Sequence, residues 1–145
     1  MNNSTRCGIS IAILTLLQFA FSYGTELLSM MAGRSVGRTI GAFVLGGILV
    51  IMVNIVFFLL NRNNRWLSTK ECALCIFSGV NIYLILMILL YPKIEVPYSL
   101  IPSAEMGFAF LQFLNQLFCC GGALICWIAG LILLIIHRKD DQGSI

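Results

Sequence analysis

Cys72 and Cys75 stand in a C-x-x-C arrangement, Cys72-Ala73-Leu74-Cys75, immediately ahead of a long apolar run. Two cysteines at that spacing can cycle between dithiol and disulfide if they are exposed, if a second cysteine pair relays the electrons, and if the compartment is oxidising. The same two sulfurs, together with His137 and Asp140, offer thiolate, imidazole and carboxylate ligands of the kind zinc accepts. A third chemistry belongs to Glu26, the one acidic residue inside an apolar run. A carboxyl group in the hydrocarbon region can exchange a proton for a cationic substrate, which makes it a functional hypothesis by default.

Whether any of these operates depends on the elements that hold them. Of 145 residues, 59% are hydrophobic and only 10% are charged, whereas a soluble domain carries roughly 25% charged residues. Too few polar groups are present to cover a soluble surface, so the sequence predicts a single all-α domain that is integral to a membrane. Four apolar segments are each near the roughly 20 residues a helix needs to cross the hydrocarbon core. The predicted spans run over 8–31, 39–60, 72–91 and 113–136. The last apolar stretch begins at Met106, and its first half carries Gln112, Asn115 and Gln116. That half reads as an interfacial or protruding extension, with the crossing starting near Leu117.

Short connections predict an antiparallel bundle of four helices with both termini on one side. Arg6, Arg62, Arg65, Lys70, Arg138 and Lys139 fall on that side, against Arg34, Arg38 and Lys93 on the other. Basic loops stay inside, so both termini are expected in the cytoplasm. An alternative treats Arg6, the first apolar run and Ala20-x-Ser22 as a cleaved signal peptide. The run continues through Leu27, Leu28, Met30 and Met31, which fits an anchor better. Short loops favour a bacterial inner membrane. Pro92, Pro97 and Pro102 all fall in the outer loop 92–102, which should be extended and stiff because proline fixes φ and stops a helix. Ser103 and Glu105 then read as the N-cap and first turn of the fourth helix.

Four membrane helices with a C-x-x-C resemble the disulfide-generating quinone reductases and their vitamin K epoxide reductase relatives. Here Cys72 and Cys75 follow Lys70 on the reducing side, and the outer loops contain no cysteine. Counted back from Ile136, Cys126 lies about 15 Å deep and Cys119 about 25 Å deep. Neither can approach Cys72 within the ~7 Å between Cα atoms that a disulfide requires. The cysteines therefore read as small membrane residues, and Cys72 and Cys75 as a helix entry. Glu26 on the first helix resembles the plan of the small multidrug-resistance transporters. It lies about 27 Å from the inner end, near Arg34 and Arg38, and is expected to form an ion pair there. The Cys-Cys-Gly of 119–121 echoes the tetraspanin signature without the large outer loop to which that signature belongs.

Packing explains more of the pattern. Gly33, Gly37 and Gly41 form a G-x-x-x-G-x-x-x-G series continued by Ala42 and Gly46, and Gly122, Cys126 and Gly130 form a second small-residue stripe. Either admits a close helix neighbour. For the first, packing within the chain plus a turn at Ala32–Arg38 is the simpler expectation. Gln18, Asn54 and Asn81 fall at about 15, 9 and 14 Å from the inner ends and are expected to form a layer of side-chain hydrogen bonds. Trp66 reads as an interfacial anchor and Trp127 as a packing residue.

Neither paired carboxylates, a catalytic triad, a phosphate loop nor a complete metal set can be read from the residues. The expectation is a protein without catalytic activity, cofactor, metal or nucleic-acid partner. It should act through helix–helix contacts on another membrane protein or a second copy, as a regulator, accessory subunit or protective factor. A small oligomeric transporter or channel using Glu26 is the second reading. A membrane thiol oxidoreductase using Cys72 and Cys75 is the third.

Overall fold

A computed structural model describes residues 2–31, 36–94 and 108–143. They form α1 (Asn3–Met31), α2 (Val36–Asn64), α3 (Thr69–Leu89) and α4 (Phe108–Gly143), with a single 3-10 turn at Tyr91–Lys93. All four helices are long and apolar enough to cross a membrane. The protein is an integral membrane protein with an all-α four-helix fold. At 1.5 Å per residue, the 29 residues of α1 and of α2 span about 44 Å and the 36 of α4 about 54 Å. Those lengths exceed the ~30 Å hydrocarbon thickness, so helix ends project into the interfacial regions.

Going round the bundle the order is α1, α2, α4, α3, with thinner contact across the diagonals. Leu16, Ile48, Ile85 and Ile125 point outward, where acyl chains cover them. Leu14, Val50, Val80, Met87 and Ala123 fill the interior. The first helix is inverted relative to a soluble amphipathic helix. Its buried residues include Ser10, Thr15, Gln18, Ser22, Thr25, Glu26 and Ser29, recurring at spacings of three to five along one face. Hydrocarbon cannot hydrogen-bond to such groups, so they turn inward toward partners on other helices.

Local chemistry sets the α2–α3 connection. Arg65 adopts a left-handed conformation, φ 48°, which ends α2. Asn61 clamps the turn: its Oδ1 accepts from Leu67 N at 2.8 Å, and its Nδ2 donates to Leu67 O at 3.1 Å. Ser68 then caps α3 in a reciprocal box with Glu71. Glu71 N donates to Ser68 Oγ at 3.2 Å and Ser68 N donates to the Glu71 carboxylate at 2.9 Å. At the other end of α3, Pro92 opens the 3-10 turn.

Glycines bring α2 and α4 together. A Cβ on Gly122 would lie 2.5 Å from Gly47 O, and one on Gly47 would lie 2.9 Å from Phe118 O. Only two glycines permit this backbone approach. Gly122 therefore meets α2. Gly130 meets α3 through ordinary contact with Phe77 (3.6 Å), and Cys126 is buried, so the Gly122, Cys126 and Gly130 stripe serves two neighbours.

Two expectations require correction. Gly37 and Gly41 do not pack within the chain: both are exposed, with nothing within 4 Å of a Cβ built on either. Gly33 lies outside the described residues. The first half of α4 is no protruding extension, because Asn115 is completely buried and belongs to the bundle interior. The helices extend past the predicted crossings at most ends, although α3 stops at Leu89, short of the predicted 91. Arg34, Pro97, Pro102, Ser103, Glu105 and the rest of 95–107 lie outside the described residues.

Candidate functional site

The inward polar face of α1 meets α3 and α4 in a buried hydrogen-bonded cluster around Glu26. Tyr91, just beyond α3, donates its hydroxyl to Glu26 Oε2. Asn115 of α4 donates through Nδ2 to Tyr91 Oη at 2.7 Å and to Ser22 O at 2.9 Å. Its Oδ1 accepts from Cys119 Sγ at 3.8 Å and lies 3.3 Å from Thr25 Oγ1, whose single proton has nearer acceptors in Phe21 O and Ser22 O, both at 3.0 Å. Ser22 Oγ donates to Gln18 O at 2.9 Å. That commits its single proton, so Tyr83 must donate in the 2.5 Å contact between Tyr83 Oη and Ser22 Oγ. Gln112 and Gln116 extend the cluster along α4 by donating to Tyr91 O and Met87 O, at 3.1 and 2.6 Å.

Gly46 of α2 closes the cluster. A Cβ there would stand 2.7 Å from Thr25 Oγ1 and 2.9 Å from Cys119 Sγ. The polar groups are thereby shut in by a bare backbone face. Two atoms stay apart from the network: Glu26 Oε1 and Gln18 Oε1 are buried with no hydrogen-bond partner among the described residues. The expected ion pair with Arg38 is absent, because Arg38 is solvent- or headgroup-facing whereas Glu26 is only 1% exposed. The counted depth located Glu26 along the helix but not around it, and its azimuth points into the bundle.

Gln18 and Asn54 do meet: Gln18 Nε2 donates to Asn54 Oδ1 at 3.1 Å, and Asn54 Nδ2 donates to Val50 O at 2.8 Å. Asn81 does not join them. Its Oδ1 accepts from Trp127 Nε1 at 3.2 Å, and its Nδ2 returns to Phe77 O at 2.8 Å. Depth is shared among the three residues, but Asn81 faces α4 and the other two face each other. Trp127 is thus both packed against Phe77 (ring centroids 5.5 Å apart) and hydrogen-bonded.

At the opposite end of the bundle, Cys72 and Cys75 are completely buried and both are free thiols. Cys75 Sγ lies 3.8 Å from Cys7 O, so the sulfur faces α1 and is not displayed to a partner. A shielded thiol is a poor redox centre. His137 Nδ1 is 3.0 Å from Leu133 O within its own helix; the side chain of Asp140 lies outside the described residues.

Tyr91, Thr25 and Tyr83 are not singled out by the sequence, and Asn115 and Ser22 are read there as parts of an extension and of a cleavage motif, not as members of a cluster. A signal for them existed. Polar or small residues recur along α4 at Gln112, Asn115, Gln116, Cys119, Gly122 and Cys126, and along α1 at Thr15, Gln18, Ser22, Thr25, Glu26 and Ser29. These are two inward stripes of helical period that can face each other. Tyr91 carried no such signal, being beyond the regular helix. No protein-family model, curated protein or solved structure matches the chain.

Proposed function

We propose that the protein has no catalytic activity and works through helix–helix contacts, as a regulator, accessory subunit or protective factor of another membrane component. The observation that carries this reading is the contrast between its glycines. Gly46, Gly47 and Gly122 are occupied by contacts within the chain, whereas Gly37 and Gly41 face open space. Gly41 lines a shallow groove of about 340 Å³ between α1 and α2, with Leu28, Met31, Ala42 and Leu45. A groove with a bare backbone floor is what a partner helix needs for close approach in a medium where apolar area alone drives little association. The proposed orientation puts both termini in the cytoplasm, supported by six basic residues on that side against three, and the proposed membrane is the bacterial inner membrane.

The test is a photo-crosslinking amino acid at Leu45, activated in native membranes, with Ile125 in the separate groove between α2 and α4 as control. A discrete adduct from position 45 that disappears in Gly41→Ile supports the contact. Equal, diffuse labelling at 45 and 125 would remove it. Orientation is tested separately by an impermeant thiol reagent on cysteine-free protein in intact cells. Lys93→Cys should react and Asn63→Cys should not; the reverse pattern inverts the topology.

One observation favours the transporter reading as an alternative. The unpartnered Oε1 of Glu26 is an atom at which a proton or small cation would be held. That reading predicts proton-linked flux or drug tolerance that is lost in Glu26→Gln.

A further inference from the structure

The end of the bundle where α2 turns into α3 contains a cavity of about 810 Å³, open to the exterior at the ends of the apolar helices. Three arginines line it: Arg6 from α1, Arg62 from the last turn of α2, and Arg65 from the turn itself. Trp66 forms part of its wall. Arg6 is fixed, donating to Trp66 O at 3.3 Å while its guanidinium lies 5.6 Å over the Trp66 ring. Arg65 is presented by a left-handed backbone that the Asn61–Leu67 hydrogen bonds and the 2.8 Å Arg65 N to Asn61 O bond hold in place. Neither the Arg62 nor the Arg65 side chain has a hydrogen bond or ion pair among the described residues.

One acidic side chain, Glu71, also lines the cavity. Its oxygens already accept from Ser68 N at 2.9 Å and Asn3 Nδ2 at 3.2 Å. It completes a helix cap and offsets part of the Arg6 charge, which leaves three arginines against one carboxylate on the lining, a balance that favours an anion. Planar guanidinium groups match phosphate oxygens in pairs.

Below this chamber the surface becomes apolar without a break. Trp66 and Asn61 also border a smaller cavity of about 270 Å³ with Ile9, Ile13 and Leu60. Ile13, Phe57 and Leu60 in turn begin an apolar groove of about 380 Å³ between α1 and α2 that reaches Phe21 and Leu49. From Ile9 to Phe21 the path is about 18 Å along α1, comparable to the ~15 Å hydrocarbon depth of one leaflet. A charged chamber at the boundary that leads into a lipid-facing groove of leaflet length has the shape of one amphiphile. We propose that this chamber and groove bind an anionic phospholipid, its phosphate held by Arg6, Arg62 and Arg65 and one acyl chain lying between α1 and α2.

Trp66 supplies a direct readout. The Trp127→Phe protein, in which Trp66 is the sole tryptophan, is reconstituted into phosphatidylcholine nanodiscs containing a minor fraction of lipid brominated on its chains. The brominated lipid is either phosphatidylglycerol or phosphatidylcholine. Each surface arginine contributes about fivefold in anionic-lipid affinity. With Glu71 offsetting one of the three, quenching of Trp66 should therefore require roughly 25-fold less brominated phosphatidylglycerol than brominated phosphatidylcholine. Arg62→Gln with Arg65→Asn, the asparagine chosen because it tolerates a left-handed backbone, should abolish the preference. Ile13→Phe, which narrows the groove without touching a charge, should weaken quenching by both lipids. Inorganic phosphate in excess should leave the preference unchanged. Equal quenching by the two lipids overturns the proposal. So does loss of the preference on adding phosphate, which would make the site one for a soluble anion.

Discussion

The two ends of the bundle handle polar groups in opposite ways. Around Glu26, side chains from α1, α3 and α4 close on one another: Asn115, Ser22 and Tyr91 are each completely buried, and Gly46 leaves no gap above them. Around Trp66, roughly 30 Å away along α1, three arginines border an open cavity. Both ends are polar inclusions in an apolar chain, yet one turns its polar groups on one another, leaving Glu26 Oε1 unpartnered, and the other faces outward. The physical origin is depth and reach. Short side chains in the bundle interior have only each other to bond, whereas long arginine side chains at a helix end reach headgroups and water. The closed end therefore reads as the part that fixes helix register, and the open end as the part that meets other molecules.

The largest effect expected from breaking this contrast is at the glycine crossing that supports the closed end. Gly122→Ala places a Cβ 2.5 Å from a backbone oxygen of α2 and should cost about 3 kcal/mol, as overpacking does where backbone must move. Denaturant unfolding in mild detergent would measure it. Gly41→Ala, built into open space, is the matched control and should change stability by less than about 0.5 kcal/mol.

Next in size is Asn115→Ala. It removes both donor hydrogens and the acceptor at the centre of the cluster, leaving Ser22 O and Tyr91 Oη short of a partner. A loss of about 2 kcal/mol is expected, read in the same unfolding assay. A value near the 0.6 kcal/mol average for single membrane hydrogen bonds would mean that water replaces Asn115, and the end is less closed than its geometry.

Glu26→Gln keeps an acceptor for Tyr91 and the side-chain shape, so stability should change by about 1 kcal/mol or less. Its use is to separate roles. If Glu26 only holds register, cells carrying the variant behave as wild type in every proton-linked assay; if it carries protons, function is lost while the fold survives.

The smallest stability effect belongs to the open end. Arg62→Gln with Arg65→Asn should shift unfolding by no more than about 0.5 kcal/mol in neutral lipid, as expected of exposed charges. A loss of several kcal/mol would show that the arginines are structural and erase the distinction between the ends.

Much of the fold was legible in the chain. Four apolar runs of membrane-spanning length, with charge confined to the gaps, leave hydrocarbon-crossing helices as the solution that satisfies their backbones. The capping box Ser68-Thr69-Lys70-Glu71 was also there to be read, as a local three-residue relation. The sites were less legible, because each depends on azimuth. Counting along a helix placed Glu26, Gln18, Asn54 and Asn81 in depth, and depth alone suggested an ion pair for Glu26 and a common layer for the other three.

The sequence by itself determined the solvent, the number of helices and the spacing of polar residues along each of them, since those follow from composition and helical period. Only the tertiary structure decided which polar faces meet. It paired Glu26 with Tyr91 in place of an arginine, drew Asn115 from a presumed extension into the core, and turned Asn81 toward Trp127. It also determined that Gly46, Gly47 and Gly122 are closed while Gly37 and Gly41 are open. A rotation of one helix about its axis by a single residue's 100° changes every one of those partners while leaving the hydropathy pattern intact. Packing of the whole bundle chooses among such rotations, because every buried donor must find its acceptor at once.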